Sequence, residues 1–128
     1  MLSAALTGLM IQSAVATAYD LSPTSCGKDS THPAYGLTAS GYSLKGKSHR
    51  QAMTIAVDPR VIPLGTKVLV IIHDPKYKHL GGIYTARDTG RLIKKNRIDI
   101  FIGNDHKKAL NFGVKDVTLA YIVDRPKG

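Results

Sequence analysis

Of 128 residues only one is a cysteine, Cys26, and none is a tryptophan. A single thiol excludes an internal disulfide, so packing has to hold the fold. Cys26 reads as a small packed hydrophobe, because no motif supplies the base that a nucleophilic thiol needs. Acidic residues are also scarce, nine Asp+Glu against 18 Lys+Arg, for a formal charge of +9. That excess implies an acidic partner surface such as nucleic acid, anionic lipid or a polyanionic cell wall. Nucleic acid is disfavoured among these, since the basic residues are spread along loops and no tryptophan is interleaved with them. No apolar run reaches the roughly 20 residues that a membrane-spanning helix needs. Internal repeats and low-complexity tracts are absent too. The five histidines (32, 49, 73, 79 and 106) lack a tight ligand spacing, so neither a metal nor any other cofactor is expected.

What remains is a chain long enough for one domain with a real core. The opening stretch MLSAALTGLMIQSAVA is apolar, of signal-peptide length, and ends in the small-residue pattern Ala14-Val15-Ala16. No Lys or Arg precedes Lys28, however, and a cut after Ala16 would trim the first expected strand. Two readings stay open for this stretch, a working export signal and a truncated leader or linker over residues 1–13, with residues 14–128 as the domain.

Within the domain, short strands alternate with Gly and Pro punctuation. Strands are expected at 14–20, 54–58, 67–73, 82–88, 96–102 and 114–123, with a long polar loop at 22–36 and a hairpin loop DPKYKHLGG. Only NDHKKALNFG (104–113) reads as a helix, with Asn104 or Asp105 to cap its start and Gly113 to stop it. Six short strands and one short helix suit a closed barrel, because closure removes the exposed edges.

Three aspartates end or interrupt these strands. In Arg97-Ile98-Asp99-Ile100-Phe101-Ile102 the isoleucines share one face, and Arg97, Asp99 and Phe101 the other. Asp99 thus leaves the core with an arginine and a phenylalanine about 7 Å away along the strand. Burial beside Phe101 would raise its pKa and Arg97 would lower it, and the sequence alone leaves that balance open. Asp88 closes a strand at Ala86-Arg87-Asp88-Thr89-Gly90, where the turn aims N–H groups and a hydroxyl at a carboxylate. Asp58 ends a strand before Pro59, a place where an aspartate often simply accepts backbone hydrogen bonds. Taken singly, each also reads as an ordinary surface or turn aspartate. Asp-Thr-Gly also marks aspartic proteases, but those place apolar residues before the Asp and a small one after the Gly, whereas Ala86-Arg87 and Arg91 stand here.

Taken together and in order, ATAYD, GLTASG, IAVDPRVIPLGTKV, ARDTG, NRIDIFI and NFGVKDVTLAYI resemble the three-aspartate (3D) domain family, from Val15 to Val123. The resemblance implies a mainly β fold, a six-stranded double-psi β-barrel, similar to the catalytic barrel of membrane-bound lytic transglycosylase A and to the stationary-phase survival muralytic proteins. It implies Asp99 as general acid/base and Asp88 as its orienting or tuning partner. Asp58 and Thr38, with Arg97 and Phe101, would line or brace the same substrate groove. The chain departs from the family pattern where Arg91 and Lys95 replace glycines and in its longer hairpin loop, which affects glycan subsites more than fold.

The activity so implied is cleavage of the β-1,4 bond between N-acetylmuramic acid and N-acetylglucosamine in peptidoglycan. One carboxyl suffices, because the muramic acid's own 6-hydroxyl replaces water and gives a 1,6-anhydro product. A hydrolase would need two carboxylates about 5 to 9.5 Å apart. The competing reading is a module that binds wall polysaccharide without cutting it. Expected partners are peptidoglycan glycan strands and the anionic wall, with no nucleic acid. The protein is expected to be a monomer, secreted or wall-associated, from a bacterium or a phage.

Overall fold

The computed structural model describes residues 6–23, 28 and 30–125; Cys26 lies outside them. Six strands close into one barrel: β1 (Leu6–Tyr19), β2 (Thr54–Ala56), β3 (Lys67–Ile72), β4 (Gly82–Asp88), β5 (Arg97–Phe101) and β6 (Lys115–Arg125). Around the ring the order is β1-β5-β2-β4-β3-β6. Strands β1 and β5 pair in parallel, as do β2 and β4, and the other four pairings are antiparallel. This is the closed barrel that the strand pattern suggests and the mainly β, double-psi arrangement that the family resemblance implies.

The interior follows from alternation. In β5, Ile98 and Ile100 point inward and are fully buried. In β3 the pattern is strictly alternating, with Val68, Val70 and Ile72 inside. Opposite β5, β1 supplies Ala16 and Ala18, paired with Ile98 and Ile100, and these small side chains leave room for the isoleucines of its neighbour. A smaller second cluster sits on the other face of β5: Tyr19, Leu21, Leu44, Ala52, Ala56, Ile93 and Phe101. It is built by the loops before β2 and before β5 folding back over the barrel wall.

The expected helix forms as α2 (His106–Phe112), with Asp105 capping it through Lys108 N–H and Gly113 in the left-handed region after it. Two elements were not expected. A four-residue helix, α1 (His49–Ala52), is held by a capping box in which Ser48 and Gln51 bond each other's backbone N–H groups. A single 3-10 turn, Lys78–Leu80, shapes the hairpin loop. Strand β1 starts at Leu6 rather than at residue 14, so residues 6–13, read as leader or linker, are part of the sheet. They pair register by register with residues 118–125 of β6, whose length gives them a partner. No helix among the described residues is long and apolar enough to cross a membrane.

Candidate functional site

Short strand β2 is the axis of the site. Its last residue, Ala56, stands opposite Asp88 of β4 on one side and opposite Asp99 of β5 on the other. A register shift between Ile55 and Ala56 sets the first of these pairings, and Val57 N–H continues it by donating to the Asp88 carbonyl at 2.9 Å. Two strand spacings put the two aspartate Cα atoms roughly 9–10 Å apart, with only a methyl side chain between them. Asp88, Asp99 and Ala56 line one cleft of about 250 Å³, together with Tyr19, Thr89 and Gly90.

Asp99 is largely buried, and burial pushes its pKa up to about 6. Repulsion from Asp88 adds to that rise; a hydrogen bond from Thr17 and the charge of Arg97 oppose it. Thr17 stands opposite Asp99 across the parallel β1–β5 pairing and donates its hydroxyl to Oδ1 at 3.0 Å. Arg97 Nη2 in turn reaches the Thr17 oxygen at 3.5 Å. Its guanidinium therefore meets Asp99 through Thr17, while its buried Nε has no partner among the described residues. Desolvation outweighs the adjacent cation, which answers the question that the sequence leaves open.

Asp88 is held from three directions. Tyr19 Oη donates to Oδ2 at 3.0 Å, and the N–H groups of Ala39 and Thr89 donate to Oδ1 at 3.0 and 2.9 Å. Gly90 is required in this turn for space, since a Cβ there would lie 2.8 Å from Cγ1 of buried Ile93.

Four expected groove residues do not line the cleft: Arg97, whose guanidinium lies behind Thr17, and Asp58, Thr38 and Phe101. Asp58 is buried and acts as a clamp: it bonds the Arg60 guanidinium through both oxygens at 3.1 and 3.0 Å, the Arg60 N–H at 3.1 Å and the Lys95 N–H at 3.0 Å. These hydrogen bonds, with the Arg60 guanidinium first, hold its carboxyl well below the usual carboxylate range. Asp58 thereby ties the loop carrying Asp88-Thr89-Gly90 back to the barrel. Thr38 is buried as well; its oxygen accepts from Tyr42 N–H and meets the Ser40 hydroxyl, fixing the turn that presents Ala39 N–H to Asp88. Phe101 does leave the barrel interior, but the second cluster covers it completely, tilted against Tyr19 at 5.6 Å between centroids. It braces Tyr19 and is closed to a ligand.

Thr17 and Tyr19, which do reach the aspartates, were not picked out from the sequence. Both sit in ATAYD two residues apart, and so on one face of β1. A second polar cluster joins the end of β1 to α2: Asp20 accepts from the Ser22 hydroxyl at 2.6 Å and from His106 Nδ1 at 3.0 Å. Ser22 meets that same Nδ1 at 3.1 Å. A relay needs the two ring nitrogens separately, so this arrangement is a staple and not a nucleophile. Among the described residues no three His, Cys, Asp or Glu side chains converge to hold a metal ion.

A family model described as the 3D domain matches residues 53–123. The chain is 44% identical over 84 residues to the cell wall-binding protein YocH of Bacillus subtilis (strain 168), covering 66% of this chain and 25% of that protein. It is 40% identical over 103 residues to YabE of the same organism, a protein with a proposed role in cell wall shaping, covering 80% and 21%. Among solved structures it is similar to the lytic transglycosylase LtgG of Burkholderia pseudomallei, with a TM-score of 0.54 and 27% identity over 69% of this chain and 26% of that one. It is also similar to MltA of E. coli with bound chitohexaose, with a TM-score of 0.51 and 22% identity over 70% and 28%, a likeness of fold alone. The chain thus spans about a quarter of the length of the relatives it matches.

Proposed function

Because the chain belongs to the 3D domain family, whose model matches more than half of it, we propose that it acts on peptidoglycan as a lytic transglycosylase-like domain with Asp99 as its acid/base. One observation carries this reading: a carboxyl in an open cleft whose pKa is pushed up to about 6 by burial. Such a group populates both its protonated and its ionised form just below neutrality, and so can give up a proton and take one back, which general acid/base catalysis requires. Protonated Asp99 donates to the glycosidic oxygen between N-acetylmuramic acid and N-acetylglucosamine, and that bond breaks. Ionised Asp99 then removes the proton from the muramic acid 6-hydroxyl as its oxygen bonds to C1. The product is a 1,6-anhydro sugar, and no water is consumed. Asp88 raises the Asp99 pKa by repulsion, and its own fixed oxygens orient the sugar. The +9 charge draws the domain to an anionic wall outside the membrane.

Sacculi treated with wild type and with Asp99→Asn, followed by mass spectrometry of the soluble fragments, test the reading. Wild type releases 1,6-anhydromuropeptides and the variant does not, while circular dichroism shows both folded. Full activity in Asp99→Asn would sink the assignment. A second reading, wall binding without cleavage, is favoured by the relative named as a cell wall-binding protein. Wild type that retains sacculi but releases no fragments would establish it.

A further inference from the structure

The cations that look scattered in the sequence are gathered by the fold at a place away from the aspartate cleft. A second cleft, of about 480 Å³, opens between α1, the 3-10 turn and the start of α2, and His49, Arg50, His79 and Lys108 all line it. Three of these side chains are close enough to act on the fourth, His49. His49 has its pKa lowered by burial first, and then by the charges of Lys108, Arg50 and His79. Among the described residues Arg50, His79 and Lys108 have no ion-pair partner. The one carboxylate in the lining, Asp105, is already engaged as the cap of α2, accepting Lys108 N–H at 3.0 Å.

His49 is fixed at the floor. The Tyr84 hydroxyl gives its proton to the Leu80 carbonyl, so it accepts from His49 Nε2–H, both at 2.5 Å. That leaves Nδ1 as the nitrogen that titrates. Tyr84 itself is fully buried, so the imidazole is anchored rather than mobile. Gly103, in the left-handed region, adds no side chain to the floor beside His49. Two permanent cations and two imidazoles thus face one space against a single carboxylate, that of Asp105.

The lining continues on both sides. A neighbouring cleft shares Ser48 and Asn104 and adds Lys45 and Lys47; another shares Asp105 and Lys108 and adds Lys76 and Lys107. We propose that this track is a binding site for a linear phosphodiester polyanion of the cell wall, with one phosphate seated between Arg50, Lys108 and the two histidines. The guanidinium fork matches a phosphate's paired oxygens, and the lysines on either side suit a repeating charge. Bases of a nucleic acid would need open aromatic faces. Of the two tyrosines in the lining, Tyr35 packs against the second cluster, and Tyr77 has the ammonium groups of Lys76 and Lys115 over its ring and the edge contact of Phe112. This site is independent of whether Asp99 catalyses.

The test follows the His49 and His79 imidazole resonances at about 0.1 M salt during titration with inorganic phosphate and with poly(glycerol phosphate). Both ligands are expected to raise the His49 pKa, with the polymer binding at least tenfold more tightly per chain. Removing Arg50 and Lys108 together (R50Q and K108Q) is expected to weaken polymer binding about tenfold or more, as loss of charge-assisted hydrogen bonds does. The same charge removed at the exposed Arg91 and Lys94 (R91Q and K94Q) is expected to change it less than twofold. Unmoved imidazole resonances, or equal losses in the two double variants, would overturn the site. Inorganic phosphate binding as tightly as the polymer, or single-stranded DNA of equal charge binding more tightly, would overturn the linear wall polyanion as its occupant.

Discussion

Thr17 and Asp99 face each other across the parallel pairing of β1 and β5, and the threonine hydroxyl donates to the Asp99 carboxyl at 3.0 Å. This bond favours the charged form and so works against the burial that raises the pKa. It gives the site a single adjustable element whose removal leaves the fold intact, because threonine and valine have nearly the same shape.

Thr17→Val is expected to raise the Asp99 pKa above about 6, by roughly one pH unit for a bond to a charged group worth about 1.5 kcal/mol. Titration of the Asp99 carboxyl carbon by NMR measures this directly. Any turnover of sacculi should keep its shape with pH but move to higher pH. An unchanged or lower pKa would mean that Thr17 does not act on Asp99.

A raised carboxyl pKa also costs stability. Folded Asp99 keeps its proton up to about pH 6, whereas the unfolded chain releases it near 3.8. Between those values the folded state binds more protons, so stability falls as pH rises from about 4 to 6 and stays lower above it. Asp99→Asn removes the ionisation and still accepts from Thr17. It is expected to gain stability relative to wild type across that window, reaching on the order of 2 kcal/mol above pH 6. Urea denaturation at pH 4, 5, 6 and 7.5 checks the trend, and a difference independent of pH would contradict it.

Lys95 lies at φ 57°, in the left-handed region, where its backbone N–H meets Asp58 at 3.0 Å. Glycine adopts that conformation without the steric cost that a side chain bears there. Lys95→Gly keeps the N–H and relieves the side-chain clash, against some added freedom in the unfolded chain. The expected result is a net gain of about 0.5–1 kcal/mol, seen as a Tm higher by roughly 2–4 °C. A lower Tm would show that the lysine side chain contributes more than its backbone strain costs.

Local pattern alone determined much of this protein. Alternation in Arg97–Ile102 was enough to put Asp99 outside the barrel interior, since a strand has only two faces. Asn104 or Asp105 at the start and Gly113 at the end marked α2 because capping needs only neighbours in sequence, and the structure selects Asp105. The Ser48–Gln51 capping box was equally legible but flanks too short an apolar pattern to stand out. What the tertiary structure decided was every relation across strands. The register of β2 against β4 and β5 puts Asp88 and Asp99 beside one Ala56. Nothing in ATAYD says that Thr17 and Tyr19 will meet aspartates more than sixty residues away. Asp58 and Phe101 carry the same marks in the sequence as groove residues. The first is withdrawn by a clamp to Arg60 and Lys95, the second by a layer of side chains from distant loops. Burial, which pushes the Asp99 pKa up, is likewise a sum over residues far apart in the chain, so folding had to assemble them before that carboxyl acquired its chemistry.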